Sequence, residues 1–227
     1  MGGSISLISG AILLIFIVSL GSPYEISECG KKRSVPTVWG GIEAEPHEFP
    51  WMAFVTRINF MTGELESVCG GSLVHPKFIL TAAHCVAGGN INDTLVIIGS
   101  NNVTRSLREM DFKLLSNIYI HPNYDTKRNQ YEELKISQDI AILELEDEVD
   151  FGPNSKVICL PSEYDVEDQL ENKTAIVAGW GTVGKDQNGA PVKSLDKLME
   201  ASVSIRSNVW CKKHFNFIQK YFFIQII

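Results

Sequence analysis

Two cysteines and a histidine restrict this chain more than any other feature. A run of β-forming residues, 71–80, ends in Leu80-Thr81-Ala82-Ala83-His84-Cys85, and small residues follow from 87 to 92. The run reads as strand and the small residues as loop, so His84 sits on a short turn between them. Cys85 beside it can staple that turn down. The partner is at hand in Cys69, which opens the strand pair leading into the motif. A covalent tie next to His84 fixes the position of the imidazole, which a general base requires.

Such a tie needs an oxidising compartment, and the N-terminus supplies the argument for one. Residues 5–20 are almost wholly apolar and are broken by Gly21-Ser22-Pro23. That length suits a signal-peptide core better than a membrane span of about 20 residues, and Ser19 and Gly21 suit a cleavage site. Residues 1–21 are therefore expected to be a signal peptide and the protein to be secreted and extracellular. No Lys or Arg precedes the run, so an uncleaved anchor is the alternative. Secretion makes the cysteines disulfide candidates. There are five, so at least one lacks an internal partner. A zinc site built from Cys69, His84 and Cys85 is the competing account, but adjacent His-Cys residues converge poorly on one tetrahedral ion. Neither a metal nor a cofactor is expected. The net charge of -7 argues against a nucleic-acid partner, which needs clustered Lys and Arg.

Thr81-Ala82-Ala83-His84-Cys85, preceded by Cys69-Gly70-Gly71-Ser72-Leu73, resembles the histidine motif of trypsin-like, chymotrypsin-fold serine proteases. The resemblance implies a Ser-His-Asp triad, in which a base stands next to a nucleophile and a buried carboxylate fixes the base's tautomer. The carboxylate candidate is Asp139, in Ser137-Gln138-Asp139-Ile140-Ala141-Ile142-Leu143. An acid opening an apolar strand is pulled toward the interior, where it needs a donor, and a ring N–H of His84 supplies one. Val157-Ile158-Cys159-Leu160-Pro161 is similar to the family's inter-barrel connection, and Ala178-Gly179-Trp180-Gly181 to the start of its second barrel. The resemblance also implies that Cys29 pairs with Cys159, tying a propeptide to the protease domain, and leaves Cys211 unpaired. Protein or peptide substrates and an activating protease are the partners it implies.

The implied fold is all-β, with two barrels. Short β-rich runs alternate with turn residues from Trp51 onward, and strands are expected over 51–58, 71–74, 78–80, 94–98, 112–120 and 140–145, with 59–66 as a hairpin connection. Six strands in this order resemble a complete first barrel. Ser207 is an expected N-cap for a helix carrying Cys211. Residues 22–37, which include Lys31-Lys32-Arg33, read as a propeptide, and 38–227 as the protease domain. Val38-Trp39-Gly40-Gly41 resembles the family's mature N-terminus, but Thr37 before it is not basic, so either an enzyme that cuts after a small residue acts at the activation bond Thr37–Val38 or activation does not happen. Sequons at Asn92, Asn102 and Asn172 are expected glycosylation sites. The segment 100–110 carries no convincing set of paired carboxylates, which leaves calcium open.

The departure from the family lies at the end of the chain. Its nucleophile string, Gly-Asp-Ser-Gly-Gly, does not occur anywhere in the 227 residues. Residues 216–227 are unlike the family, aromatic and β-branched, and too interrupted by Gln219, Lys220 and Gln225 for stable membrane insertion. A second barrel truncated by replacement of its C-terminal part is the expectation. Three readings stay open: a partial record of an active secreted endopeptidase, a non-catalytic secreted homologue that acts by binding, and an inactive fragment.

Overall fold

The computed structural model describes residues 29–30, 41–59, 61–109, 111–128, 134–161, 170–185, 187, 191–193 and 196–214. The signal peptide, the Thr37–Val38 bond and 216–227 lie outside the described residues. In chain order the strands are β1 (Ile42–Glu43), β2 (Met52–Asn59), β3 (Glu64–His75), β4 (Phe78–Thr81), β5 (Thr94–Ile98), β6 (Leu115–Ile120), β7 (Asp125–Arg128), β8 (Leu134–Ser137) and β9 (Ala141–Leu145). They continue with β10 (Thr174–Gly179), β11 (Thr182–Lys185), β12 (Pro191–Lys193) and β13 (Met199–Ser204). Two short α-helices are described, α1 (Val103–Arg108) and α2 (Asn208–His214).

The six expected strands form one antiparallel sheet in the order β5-β2-β3-β4-β9-β6. Its two ends meet: Val96 of β5 and Lys113, just before β6, exchange both backbone hydrogen bonds, at 3.1 and 2.7 Å. That single bridge joins the two ends of the curled sheet at one residue pair. Burial follows the pleat in β9, where Ala141, Leu143 and Leu145 face the core while Ile142 and Glu144 do not. β2 breaks that alternation, with Met52 to Thr56 all buried. Its second face is covered from the later part of the chain, where the Trp180 ring meets Phe54 edge-on at 5.5 Å.

Boundaries moved where polar residues belong to strands. β3 starts at Glu64, so the expected connection over 59–66 shrinks to a tight turn. In that turn Asn59 Oδ1 accepts from the amides of Met61 and Thr62, and Gly63 has φ 73°. The polar start of β3 pairs with the far end of β2, across a bulge at Arg57/Ile58. Phe112 precedes β6, which begins at Leu115, and Ile140 precedes β9. α1 falls in a segment read as polar loop; it is only six residues long and is held by the side chain of Asn102, which accepts from Arg105 N at 2.8 Å. The hairpin of β7 and β8 has no expected counterpart.

The later part of the chain forms a three-stranded sheet, β1-β13-β10, and the hairpin β11–β12 among the described residues. Ser207 caps α2 as expected, its hydroxyl accepting from Trp210 N at 3.3 Å. The described residues before β1 are docked: Cys29 is bonded to Cys159, and Gly30 N donates to Val157 O at 3.0 Å.

At Gly71, where β3 crosses β4, a Cβ would stand 2.7 Å from Ile79 Cγ2 and 3.2 Å from Leu80 O. Gly71→Ala should therefore lower stability by about 1–3 kcal/mol, as overpacking of a filled core does. Urea denaturation checks it, and a change under about 0.5 kcal/mol would show that this crossing has slack.

Candidate active site

His84 lies on a single 3-10 turn, Ala83–Cys85, directly after β4. The turn is anchored before it starts, because Thr81 Oγ1 donates to Gly70 O at 2.8 Å. It is anchored on both flanks by burial, since Ala83 and Cys85 are core residues. Cys85 is bonded to Cys69 across a Cα separation of 6.1 Å. With its neighbours held inward, the histidine is turned outward and its side chain is 53% exposed.

Asp139 reaches this turn from the start of β9 and engages it twice. Oδ1 accepts the backbone N–H of His84 at 2.8 Å, and Oδ2 stands 2.6 Å from Nδ1 of the ring. An ionised carboxylate is acceptor-only, so Nδ1 carries the proton and Nε2 of the neutral ring presents its lone pair. The pairing of β4 with β9 sets the distance: Thr81 is opposite Ala141, which brings the residues just beyond each strand end together. The carboxylate is 18% exposed, so it is largely shielded from water while the imidazole is not. The arrangement can take a proton at Nε2 from a hydroxyl placed there and hold the resulting imidazolium.

Two residues that help build this site escape a reading of the sequence. Gln138 has φ 52°, an uncommon conformation for a residue with a side chain, and Ile140 N donates back to its carbonyl at 2.8 Å. This tight reversal turns Asp139 toward His84 before the chain enters β9. Tyr124 packs beside Asp139, and its phenol is held above its ordinary pKa by burial and then by the aspartate's charge. The Gly-free string Gln138-Asp139 gives no sign of a left-handed residue. Tyr124 is signalled only by the turn His121-Pro122-Asn123, whose imidazole accepts from Asn123 N at 3.1 Å.

The remaining expected site residues are scattered. Asn92 and Asn172 are exposed; Asn172 sits at φ 63° before β10, while Asn102 spends its side-chain oxygen on capping α1. Thr37 and Val38 lie outside the described residues, and Cys211 is in α2. Ser202 and Ser204 belong to β13 and Ser207 to the cap of α2. In the segment left open for calcium, Glu109 is engaged by Arg105 Nε at 2.9 Å.

A curled antiparallel sheet thus carries a carboxylate-oriented imidazole at the ends of two adjacent strands. The family model described as Trypsin matches residues 38–226. Duodenase-1 of Bos taurus is 32% identical over 204 residues, covering 90% of this chain and 70% of that protein. Granzyme-like protein 1 of Rattus norvegicus is 31% identical, covering 89% and 70%. Chymotrypsin of Phaedon cochleariae is 30% identical, covering 79% and 59%. Among solved structures, one titled "Structure of GrC" superposes with a TM-score of 0.59 at 26% identity, covering 78% of this chain and 70% of that one. The chain belongs to the trypsin family of serine proteases, and its fold is the all-β trypsin-like one.

The Cys69–Cys85 bond closes a loop of sequence separation 16. Replacing both cysteines by serine should cost about 3 kcal/mol, the value expected for a loop of this length. It should also weaken the low-field proton signal of the His84–Asp139 hydrogen bond. Denaturation and one-dimensional proton NMR check both; an unchanged signal would mean that the sheet alone positions the imidazole.

Proposed function

We propose that the chain carries the base half of a secreted serine endopeptidase, with His84 as general base and Asp139 as the residue that orients it. The observation that supports this best is the two-point hold of Asp139 on His84, through backbone N–H and Nδ1. In a form that contains the family's Gly-Asp-Ser-Gly-Gly, Nε2 takes the serine hydroxyl proton as the oxygen attacks the scissile carbonyl. The same proton then passes to the leaving amine. Substrates are proteins or peptides. Residues 1–21 direct export, and 22–37 form a propeptide that stays tethered through Cys29–Cys159 after an activating protease cuts Thr37–Val38. Glycans are carried on Asn92, Asn102 and Asn172, and Cys211 is free or links two chains. No described helix is long and apolar enough to cross a membrane.

The missing string favours a second reading, a secreted homologue that binds partners without cleaving them. One experiment separates the two. The 227-residue chain, cut before Val38, should show no stoichiometric labelling by a serine-directed phosphonate, because no Gly-Asp-Ser-Gly-Gly is present. A transcript that continues in frame from the codon for Phe215 into that string should give a chain that labels and hydrolyses peptides. There, Asp139→Asn should lower kcat by about 10⁴-fold, the loss that the wrong tautomer brings in this mechanism. A loss below about tenfold would remove Asp139 from the assigned role. Labelling of the 227-residue chain itself would overturn the assignment of the nucleophile.

A further inference from the structure

We propose that Cys69, Cys85 and His84 form a binding site for a soft divalent cation, zinc above all, when the Cys69–Cys85 disulfide is reduced. Among the described residues these three are the one group of His, Cys, Asp or Glu side chains whose donor atoms, one from each, all lie within 4.8 Å of one another. Adjacent His and Cys side chains as a rule converge poorly on one tetrahedral ion, which was the objection to a metal here. The 3-10 turn removes it, because Nε2 of His84 stands 3.5 Å from Sγ of Cys85. With zinc bonds of about 2.3 Å to sulfur and 2.0–2.1 Å to nitrogen, the edges of a tetrahedron are about 3.6 Å between S and N and about 3.8 Å between two sulfurs. The His84–Cys85 pair already spans the first edge. Cα atoms 6.1 Å apart leave the two cysteines close enough to span the second once their sulfurs separate.

The orienting carboxylate adds an independent argument. Metal-bound histidines nearly always donate their other N–H to a carboxylate, a carbonyl or water, which fixes the tautomer and raises the basicity of the ligating nitrogen. Asp139 does this at Nδ1, at 2.6 Å, leaving Nε2 as the nitrogen that faces the sulfurs. The exposed side of the imidazole gives a cation its path in and gives water the fourth coordination position. Cys85 is buried and Cys69 half-buried, so the sulfur side of the site is shielded.

The redox step balances with a two-electron reductant, a dithiol protein in a cell or a trialkylphosphine with water in the laboratory. The S–S bond breaks and two thiols form, while the dithiol closes to a disulfide or the phosphine gains an oxygen. Zinc then displaces both thiol protons to solvent, making two Zn–S bonds and one Zn–N bond. The two thiolates neutralise its charge. The oxidised protein offers Nε2 alone, so binding is gated by the disulfide. If the function proposed above holds, the cation also occupies the nitrogen that would accept the serine proton, and reduction with zinc switches the base off.

The test uses the full chain, reduced with a phosphine and titrated with cadmium, read through the ultraviolet thiolate-to-cadmium charge-transfer band. X-ray absorption on the zinc-loaded chain counts the ligands. With Cys29, Cys159 and Cys211 replaced by serine, one strong site per reduced chain is expected, with two sulfurs and one nitrogen, and no band in the oxidised chain. The site should vanish in Cys69→Ser and Cys85→Ser. Affinity should fall at least about tenfold in His84→Ala and by about 10–100-fold in Asp139→Asn, the range for lost outer-shell partners. Zinc should also raise the melting temperature of the reduced chain and leave that of the oxidised chain unchanged. Binding that survives Cys69→Ser, a zinc shell without nitrogen, or a reduced chain that zinc neither binds nor stabilises would overturn the proposal. None of these readouts depends on peptide cleavage, so failure here leaves the phosphonate result intact.

Discussion

The site depends on one carboxylate held between a backbone and a ring. Asp139 is largely removed from water, and a charge in that position is costly unless its oxygens are satisfied. Each oxygen has one donor, and both donors belong to His84. The backbone N–H matters as much as the ring, because it ties the carboxylate to the turn whatever the side chain does. The ring bond then selects the tautomer. A histidine held only through its ring would be free to swing with its own χ angles; here the partner is fixed to the same residue's main chain.

Strand pairing brings the two residues within reach of each other. β4 and β9 are neighbours in the sheet, and the ends from which His84 and Asp139 emerge are opposite each other. β3 and β6 flank β4 and β9 in the sheet, so the β4–β9 seam lies in its interior rather than at an edge. The seam also explains Gly71. β3 runs beside β4 there, and a Cβ at residue 71 would press on the Ile79 side chain.

Much of this was legible in the sequence, and the pattern of what was not is physical. The strands with strong apolar content, such as 94–98 and 51–58, carry their own signal. Exposed Glu64 and the tight turn before it hide the start of β3, since the strand opens on a polar residue rather than an apolar run. α1 is too short for helical periodicity to register, and its stability comes from the cap at Asn102 rather than from a stripe. His84 and Asp139 were readable as types in context, but the aim of the aspartate was not. It rests on Gln138 at φ 52°, a backbone choice that tertiary packing imposes and that glutamine does not announce.

Chemistry and folding also divide along the chain. His84 and Asp139 both come from the six-stranded sheet, while the later part of the chain covers β2. Trp180 covers Phe54, and its ring N–H donates to Asn101 O at 3.3 Å. The connection between the two parts is pinned on both sides, by Lys156 N on Pro50 O at 3.1 Å and Ile158 N on Leu73 O at 2.9 Å. An oriented imidazole is therefore present in the first sheet by itself. Preorganisation of this kind is what makes a base effective, since the cost of ordering it is met in folding rather than at the moment of reaction. It also leaves Nε2 as an exposed lone pair of fixed direction, open to a proton from a hydroxyl or, beside a reduced pair of cysteines, to a cation.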